Sequence, residues 1–286
     1  MLLRVKNLST TFIKDNKIIN ALNNISFSIP EEKIVCIVGE SGCGKTVTAL
    51  SILNLIKKPG KIINGKVMFE GQDILNAKSN INTKIRGNKI SIMLESGKKA
   101  LNPSYTIGYQ INEVIKLHQK HLNKQERYEK VIDVLKLVRM PNVKAKYNEY
   151  VQNITDSQAQ RVLLAIAMAC EPTLLIADNP TNSLDVTLQA QFLELIYDLK
   201  ETRGTSILFI THNLAIVSQI ADEVIVMYKG HIIEKASAQD LFTDPKHPYT
   251  KVLLNSLPVY QNKLKKNKLN TIDLNIDYLK YEKEIR

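Results

Sequence analysis

The segment Gly39-Glu40-Ser41-Gly42-Cys43-Gly44-Lys45-Thr46 constrains this chain more than any other, because it matches the pattern G-x-x-x-x-G-K-[ST] in full. It follows the apolar, β-branched run Ile34-Val35-Cys36-Ile37-Val38. It precedes Val47, Leu50, Leu53 and Ile56, which recur at helical spacing until Pro59-Gly60. A strand, a glycine loop and a helix in that order form the context in which the pattern means phosphate binding. The glycines let backbone N–H groups turn inward on phosphate, and the helix N-terminus adds partial positive charge. Lys45 reaches the β- and γ-phosphates and the Thr46 hydroxyl is available to Mg²⁺. Gly39, Ser41, Gly42, Cys43, Gly44, Lys45 and Thr46 are therefore candidate ligands of a nucleotide, with ATP and Mg²⁺ as the expected occupants.

A second element supports the first. Leu174-Leu175-Ile176-Ala177-Asp178 is an apolar strand ending in a carboxylate, the form needed to hold an acid at the C-terminal edge of a sheet beside a metal ion. Strands are expected at Leu2 to Leu8, Ala21 to Ile29, Gly65 to Phe69 and Ser206 to Thr211, and helices at Ile111 to His121, Lys124 to Val138 and from Ser157. Strands alternating with helices point to an α/β fold with a parallel sheet covered on both faces. The strand texture gives way to helical texture over residues 88–160. The expected organisation is thus a core in two parts, 1–87 and 161–240, a helical subdomain at 88–160 and a C-terminal extension at 241–286. The cluster Lys263, Lys265, Lys266 and Lys268 reads as a solvated tail.

Composition excludes several classes. The chain has 286 residues, 44% of them hydrophobic, so it is neither disordered nor fibrous. Its net charge of +11 suits an anionic partner without choosing among nucleotide, nucleic acid and membrane surface. Cys36, Cys43 and Cys170 are widely spaced, which speaks against a disulfide framework and for a reducing compartment. No run of about 18 apolar residues occurs, and the start MLLRVKNLSTTF alternates like a strand, so neither a membrane span nor an export signal is expected.

With these residues in hand, the chain resembles the nucleotide-binding subunit of an ABC transporter over nearly its whole length. The markers are the glycine loop, Leu174–Asp178 followed by Asn179-Pro180-Thr181, then Ser183-Leu184-Asp185 and Phe209-Ile210-Thr211-His212. Within that family, Leu101-Asn102-Pro103, Val186-Thr187-Leu188-Gln189-Ala190-Gln191 and His247-Pro248-Tyr249-Thr250 are similar to the oligopeptide, dipeptide and nickel importer branch. The resemblance implies a P-loop NTPase core with a mixed sheet and an inserted helical subdomain. It implies two such subunits facing head to tail, each ATP held between one glycine loop and the other subunit's helix N-terminus, beneath two membrane permease subunits fed by an external solute-binding protein. It places the chain peripherally at the cytoplasmic face of the membrane. By the same resemblance Asp185 couples the two sites, His212 holds the γ-phosphate and attacking water, and Phe12 stacks on adenine. The permease coupling helix is expected against the Glu95 loop and the apolar stretch Leu101, Pro103, Tyr105, Ile107 and Tyr109.

The sequence departs from the family at three places. Asn179 stands where a glutamate polarises the attacking water, and an amide cannot take a proton; general-base help is typically about 10²–10⁴-fold. Ile154-Thr155-Asp156-Ser157-Gln158 stands for a Leu-Ser-Gly-Gly-Gln-like run at the helix that caps the partner's ATP. Thr155, Ser157 and Gln158 remain suitable, but a carboxylate at Asp156 about 5 Å from a phosphate charge costs roughly 3 kcal/mol at an effective dielectric near 20. Glu95 replaces a glutamine that touches Mg²⁺ and water; a carboxylate still ligates Mg²⁺ but donates no hydrogen bond. The expectation is therefore an importer subunit with impaired hydrolysis, Asn179 and Glu95 being its altered catalytic positions and Thr46, Asp178 and Glu95 its Mg²⁺ side. The alternative is a mainly non-hydrolytic subunit regulating a heterodimer with a second ATP-binding chain. A soluble ABC protein acting on nucleic acid is disfavoured, since no coiled-coil or zinc insertion and no second cassette is present, and with no cysteine after Cys170 no iron–sulfur cluster is expected. Peptide is the first expected cargo. Nickel or a metal chelate is the second, from Gly97-Lys98-Lys99-Ala100, which is similar to some metal-importing members.

Overall fold

A computed structural model describes residues 1–15, 17–77, 83–95, 97–255 and 276–284. The lysine cluster at 263–268 lies outside the described residues. The chain divides into two compact units, one of Met1–Asn76 with Leu208–Arg286 and one of Ala77–Ile207, and the boundary between Ile207 and Leu208 falls inside a strand.

In the first unit β1 (Leu3–Lys14) lies between β2 (Lys17–Ile29) and β4 (Gly60–Phe69), all antiparallel, and β4 continues into the short β5 (Gln72–Asp73). A buried hydrogen bond of 2.9 Å between the Thr10 and Ser51 hydroxyls ties this sheet to the helix Lys45–Ile52. The other sheet of the unit contains β3 (Ile34–Val38), parallel to β9 (Glu223–Tyr228), which is antiparallel to β10 (His231–Ser237). It is thus mixed. All five residues of β3 are buried, which is why the run is apolar throughout instead of alternating. At the C-terminal end of β8 (Ser206–Ile210), the Thr211 amide donates to the Ile37 carbonyl at 3.1 Å, so this strand end and the glycine loop leave the same edge.

In the second unit β6 (Ile90–Met93) runs parallel to β7 (Leu174–Asp178), pairing Ile90 with Leu174 and Met93 with Ala177. Its helices are Ile107–His118, Lys124–Leu137, Val143–Tyr147, Asp156–Met168 and Val186–Arg203. Their starts are written locally. Asn123 with Glu126, and Thr155 with Gln158, form reciprocal capping boxes, while Thr106 and Asp185 cap with a single side-chain oxygen. Ile107, Ile111 and Ile115 recur every four residues and are fully buried, the stripe that packs this unit's helices.

Expectation and structure differ in extent. The helix after the glycine loop ends at Ile52 and does not run to Pro59, because Asn54 takes a left-handed φ of 51° and its amide turns back to Ser51. β6 falls where little strand was expected, since four residues bounded by Gly87-Asn88 are too few to show a period. β1 reaches beyond Leu8, its register carried on through bulges between Val5 and Thr11. The apolar stretch expected as one patch is divided: Leu101 and Ile107 are core, whereas Tyr105 and Tyr109 are exposed and stacked with ring centres 4.4 Å apart. No described helix is long and apolar enough to cross a membrane.

Candidate nucleotide-binding site

The loop Gly39–Thr46 is built by its glycines. A Cβ on Gly39, whose φ is 150°, would stand 2.2 Å from the Met227 carbonyl oxygen, so only glycine fits there. Gly44, at φ 108°, is the residue from which the helix Lys45–Ile52 starts, and it has no side chain to cap the first-turn amides. Those amides have no acceptor within the helix and are left to the loop.

The Lys45 ammonium is buried and folded back across the loop, donating to the carbonyls of Gly39 and Glu40 at 2.7 Å each and to Cys43 Sγ at 3.7 Å. Its partners among the described residues are neutral, so a positive charge sits uncompensated beside uncapped amides, with Ser41, Gly42 and Thr46 exposed around it. That arrangement fits a phosphate chain. Burial pushes the Cys43 thiol up, partly offset by the Lys45 charge, so it is a packed thiol and not a thiolate competing for the ammonium.

In the same unit, Phe12 is half-buried in β1 and paired across the ladder with Gly60, where a Cβ would come within 2.5 Å of the ring. His212 is exposed directly after β8, and Thr211 Oγ1 accepts from the Asn213 amide at 3.0 Å to form the turn that carries it.

In the second unit Asp178 closes β7 and is 2% exposed. Asn179 follows in a left-handed conformation, φ 46°, which asparagine tolerates better than most side chains. Its Nδ2 donates to Glu95 Oε2 at 2.8 Å and to Asp178 Oδ1 at 3.4 Å. Asn182 Nδ2 donates to the other oxygen of Glu95 at 2.5 Å. Both Glu95 oxygens are therefore engaged by amides, while Asn179 Oδ1 is buried with no hydrogen-bond partner. These groups line a cavity of about 460 Å³ into which Asp156 and Lys98 also project. Lys98 Nζ lies 4.0 Å from the Asp156 carboxylate, so this carboxylate faces a cation.

Thr155, Ser157, Gln158 and Asp185 line a separate concavity of about 690 Å³ in this unit, together with Arg139 and Arg161. Thr155 Oγ1 accepts from the Gln158 amide at 3.2 Å and Gln158 Oε1 from the Thr155 amide at 3.3 Å, so both side chains already cap the helix. Asp185 accepts from the Leu188 amide at 2.9 Å. The Arg161 guanidinium is fixed by the carbonyls of Val138 and Arg139, and burial with the neighbouring Arg139 charge lowers its pKa.

Among the described residues no three His, Cys, Asp or Glu side chains gather as a metal cage. A nucleotide-bound Mg²⁺ takes only one or two protein oxygens and the rest from phosphate and water; the Thr46 hydroxyl in the first unit and the Asp178 carboxylate in the second are each an oxygen of the kind it takes. Sequence reasoning missed Asn182, although it stands three residues after Asn179, and read Lys98 only as part of Gly97–Ala100 and not as a partner of Asp156. Arg139 and Arg161 carried no motif that singled them out.

Residues 22–182 match the family described as ABC transporter, and residues 233–278 match the oligopeptide/dipeptide transporter C-terminal region. A shorter match at residues 157–218 is to an AAA domain, putative AbiEii toxin, Type IV TA system. The oligopeptide transport ATP-binding protein AppD of Bacillus subtilis is 44% identical over 272 residues, covering 95% of this chain and 82% of that protein. The probable peptide ABC transporter ATP-binding protein y4tR of Sinorhizobium fredii is 43% identical, covering 90% and 77%. The dipeptide transport ATP-binding protein DppD of Escherichia coli is 40% identical, covering 91% and 79%. In fold, the dimeric structure of MJ0796, a bacterial ABC transporter cassette, superposes with a TM-score of 0.75 at 24% identity, over 83% of this chain and 99% of that one.

Proposed function

The chain belongs to the ABC transporter family of ATP-binding subunits, and from that premise we propose that it powers or gates the import of peptides while hydrolysing ATP only slowly at its own site. The observation that carries the reading is Asn179: an amide occupies the place after the strand-end aspartate, and its Nδ2 is spent on Glu95 and Asp178.

The roles follow from the residues. Lys45 exchanges its two loop carbonyls for the β- and γ-phosphates, and the first-turn amides accompany it. Thr46, Asp178 and Glu95 would be the residues that offer oxygens to Mg²⁺, which would neutralise charge on the phosphate oxygens. Phe12 offers a face to adenine, and His212 holds the γ-phosphate. Both carboxylate oxygens of Glu95 are held by the Asn179 and Asn182 amides, which opposes the movement with the permease that its position would otherwise serve. Thr155, Ser157 and Gln158 cap the nucleotide of a second ATP-binding subunit, with Asp185 linking the two sites. A heterodimer follows from this reading, because turnover then has to come from a partner chain whose own site keeps a proton acceptor. The pair docks on two permeases at the cytoplasmic face of the membrane, fed by an external solute-binding protein, and the exposed stack of Tyr105 and Tyr109 is the part that meets the permease. Peptide is preferred over a nickel chelate because the relatives named above are peptide or dipeptide transport proteins.

The test is peptide uptake. Cells lacking the chain should lose it and regain it with the wild type, whereas Tyr105→Asp should fail to restore uptake, leave the membrane fraction and still bind ATP. Uptake that does not depend on the chain contradicts the proposal.

A further inference from the structure

The peptide between Gly39 and Glu40 opens the phosphate loop, and in this structure both of its polar groups are engaged. Its carbonyl, on Gly39, accepts from the Lys45 ammonium at 2.7 Å. Its N–H, on Glu40, donates to the Tyr249 hydroxyl at 3.4 Å. Tyr249 is fully buried and lies in the C-terminal part of the same unit, 209 residues further along the chain.

Its position is set in stages. Glu234 on β10 accepts from the amides of Lys246 and His247 at 2.7 and 3.0 Å, pinning the turn before the helix Pro248–Asn255. His247 Nδ1 accepts from the Tyr249 amide at 3.1 Å, which starts that helix and aims the tyrosine ring. The ring is then closed in by two others, Tyr228 at the end of β9, 4.7 Å between centres, and Tyr278, 5.3 Å, the latter two also meeting edge to face at 5.6 Å. Tyr278 is 3% exposed, and the segment that carries it is held where Tyr228 donates its hydroxyl to the Ile276 carbonyl at 3.4 Å. Three tyrosines thus pack against one another, and the Tyr249 hydroxyl directed at the loop meets the peptide on which Lys45 rests. Burial and the nearby Glu40 carboxylate push the Tyr249 phenol up, so it is a neutral hydroxyl with one lone pair for the amide and a proton of its own.

We propose that Tyr249, braced by Tyr278 of the C-terminal segment, is a positioning residue for the phosphate loop. When phosphate draws the Lys45 ammonium off the Gly39 carbonyl, the hydroxyl is the contact that keeps this peptide from turning, so the loop stays in its binding form. The C-terminal region is in this way a support of nucleotide affinity, a role distinct from any contact with nucleotide or permease. The proposal rests on the reading of Gly39–Thr46 as the nucleotide cradle.

The test is titration of the full-length chain and its variants with a non-hydrolysable ATP analogue, with unfolding temperature measured on the same samples. Tyr249→Phe keeps the ring and removes only the hydroxyl, and it should weaken binding about three- to tenfold, the size of one neutral hydrogen bond, with its unfolding temperature lowered by no more than the loss of that one bond. Tyr278→Ala should weaken it in the same direction, Tyr278→Phe should restore most of the loss, and Tyr249→Phe with Tyr278→Ala should be little worse than Tyr249→Phe alone. Equal affinity in wild type and Tyr249→Phe overturns the proposal while leaving the cradle standing. A loss seen only in Tyr278→Ala, with a lowered unfolding temperature, overturns it as well, since packing alone would explain it. A wild type that binds no nucleotide removes the cradle and this proposal together.

Discussion

The glycine loop of the first unit and the strand-end residues of the second, both assigned to ATP in the proposed reading, are finished differently. Around Lys45 the structure leaves functional groups open: a buried ammonium with neutral partners, uncapped amides and an exposed threonine hydroxyl. Around Asn179 the polar groups are spent on each other, Glu95 holding two asparagine amides and Asp156 facing Lys98. Binding requires charge and donors presented to a ligand, whereas hydrolysis also requires an acceptor for the proton of water. On the proposed reading the first region meets the requirement for binding and the second, with an amide at Asn179, does not meet that for hydrolysis, so affinity and turnover should be separable in this chain.

The largest effect should come from giving the second region what it lacks. Asn179→Glu is expected to raise ATP turnover by about 10²–10⁴-fold, the usual range for a general base. The left-handed backbone at this position should cost the variant roughly 1–2 kcal/mol of stability, read from its denaturant midpoint. An unchanged rate would show that the comparison has misplaced the deficit. The next effect belongs to the other region. Lys45→Ala should weaken nucleotide binding by several kcal/mol, since it deletes a charge-assisted contact to two phosphates, and titration with ATP and Mg²⁺ measures it. Affinity that survives would mean that the open loop is not the binding element. The smallest effect concerns the second concavity. Thr155→Ala removes one half of a capping box and should cost about 1 kcal/mol of stability in a denaturant titration, with binding of ATP at the chain's own loop unaltered.

Much of the first region was legible in the sequence because it is contiguous. A phosphate loop needs its glycines, lysine and hydroxyl at fixed offsets, so the pattern and its flanking strand and helix could be read from a stretch ending at Ile56. β3, β7 and β8 were legible for a related reason, being buried on both faces and hence apolar without interruption. β6 is too short to carry a period, and β9 and β10, although built from strand-forming residues, carry no motif that sets them apart. The second region was read only residue by residue. That Asn179, Glu95 and Asn182 form one hydrogen-bonded group depends on two loops, after β6 and after β7, that sit together only because those strands pair in parallel. Tyr249 was seen as part of a motif, but its contact with Glu40 spans most of the chain and no local pattern encodes it.

The account stands on affinity without matching turnover, and the most direct measurement of that is a single-turnover experiment on the purified wild-type chain, with ATP and Mg²⁺ below the protein concentration and binding followed in the same sample. It predicts that nucleotide is bound nearly completely while the bound ATP is cleaved about 10²–10⁴-fold more slowly than in the Asn179→Glu variant. Bound ATP cleaved by the wild type as fast as by that variant would contradict it.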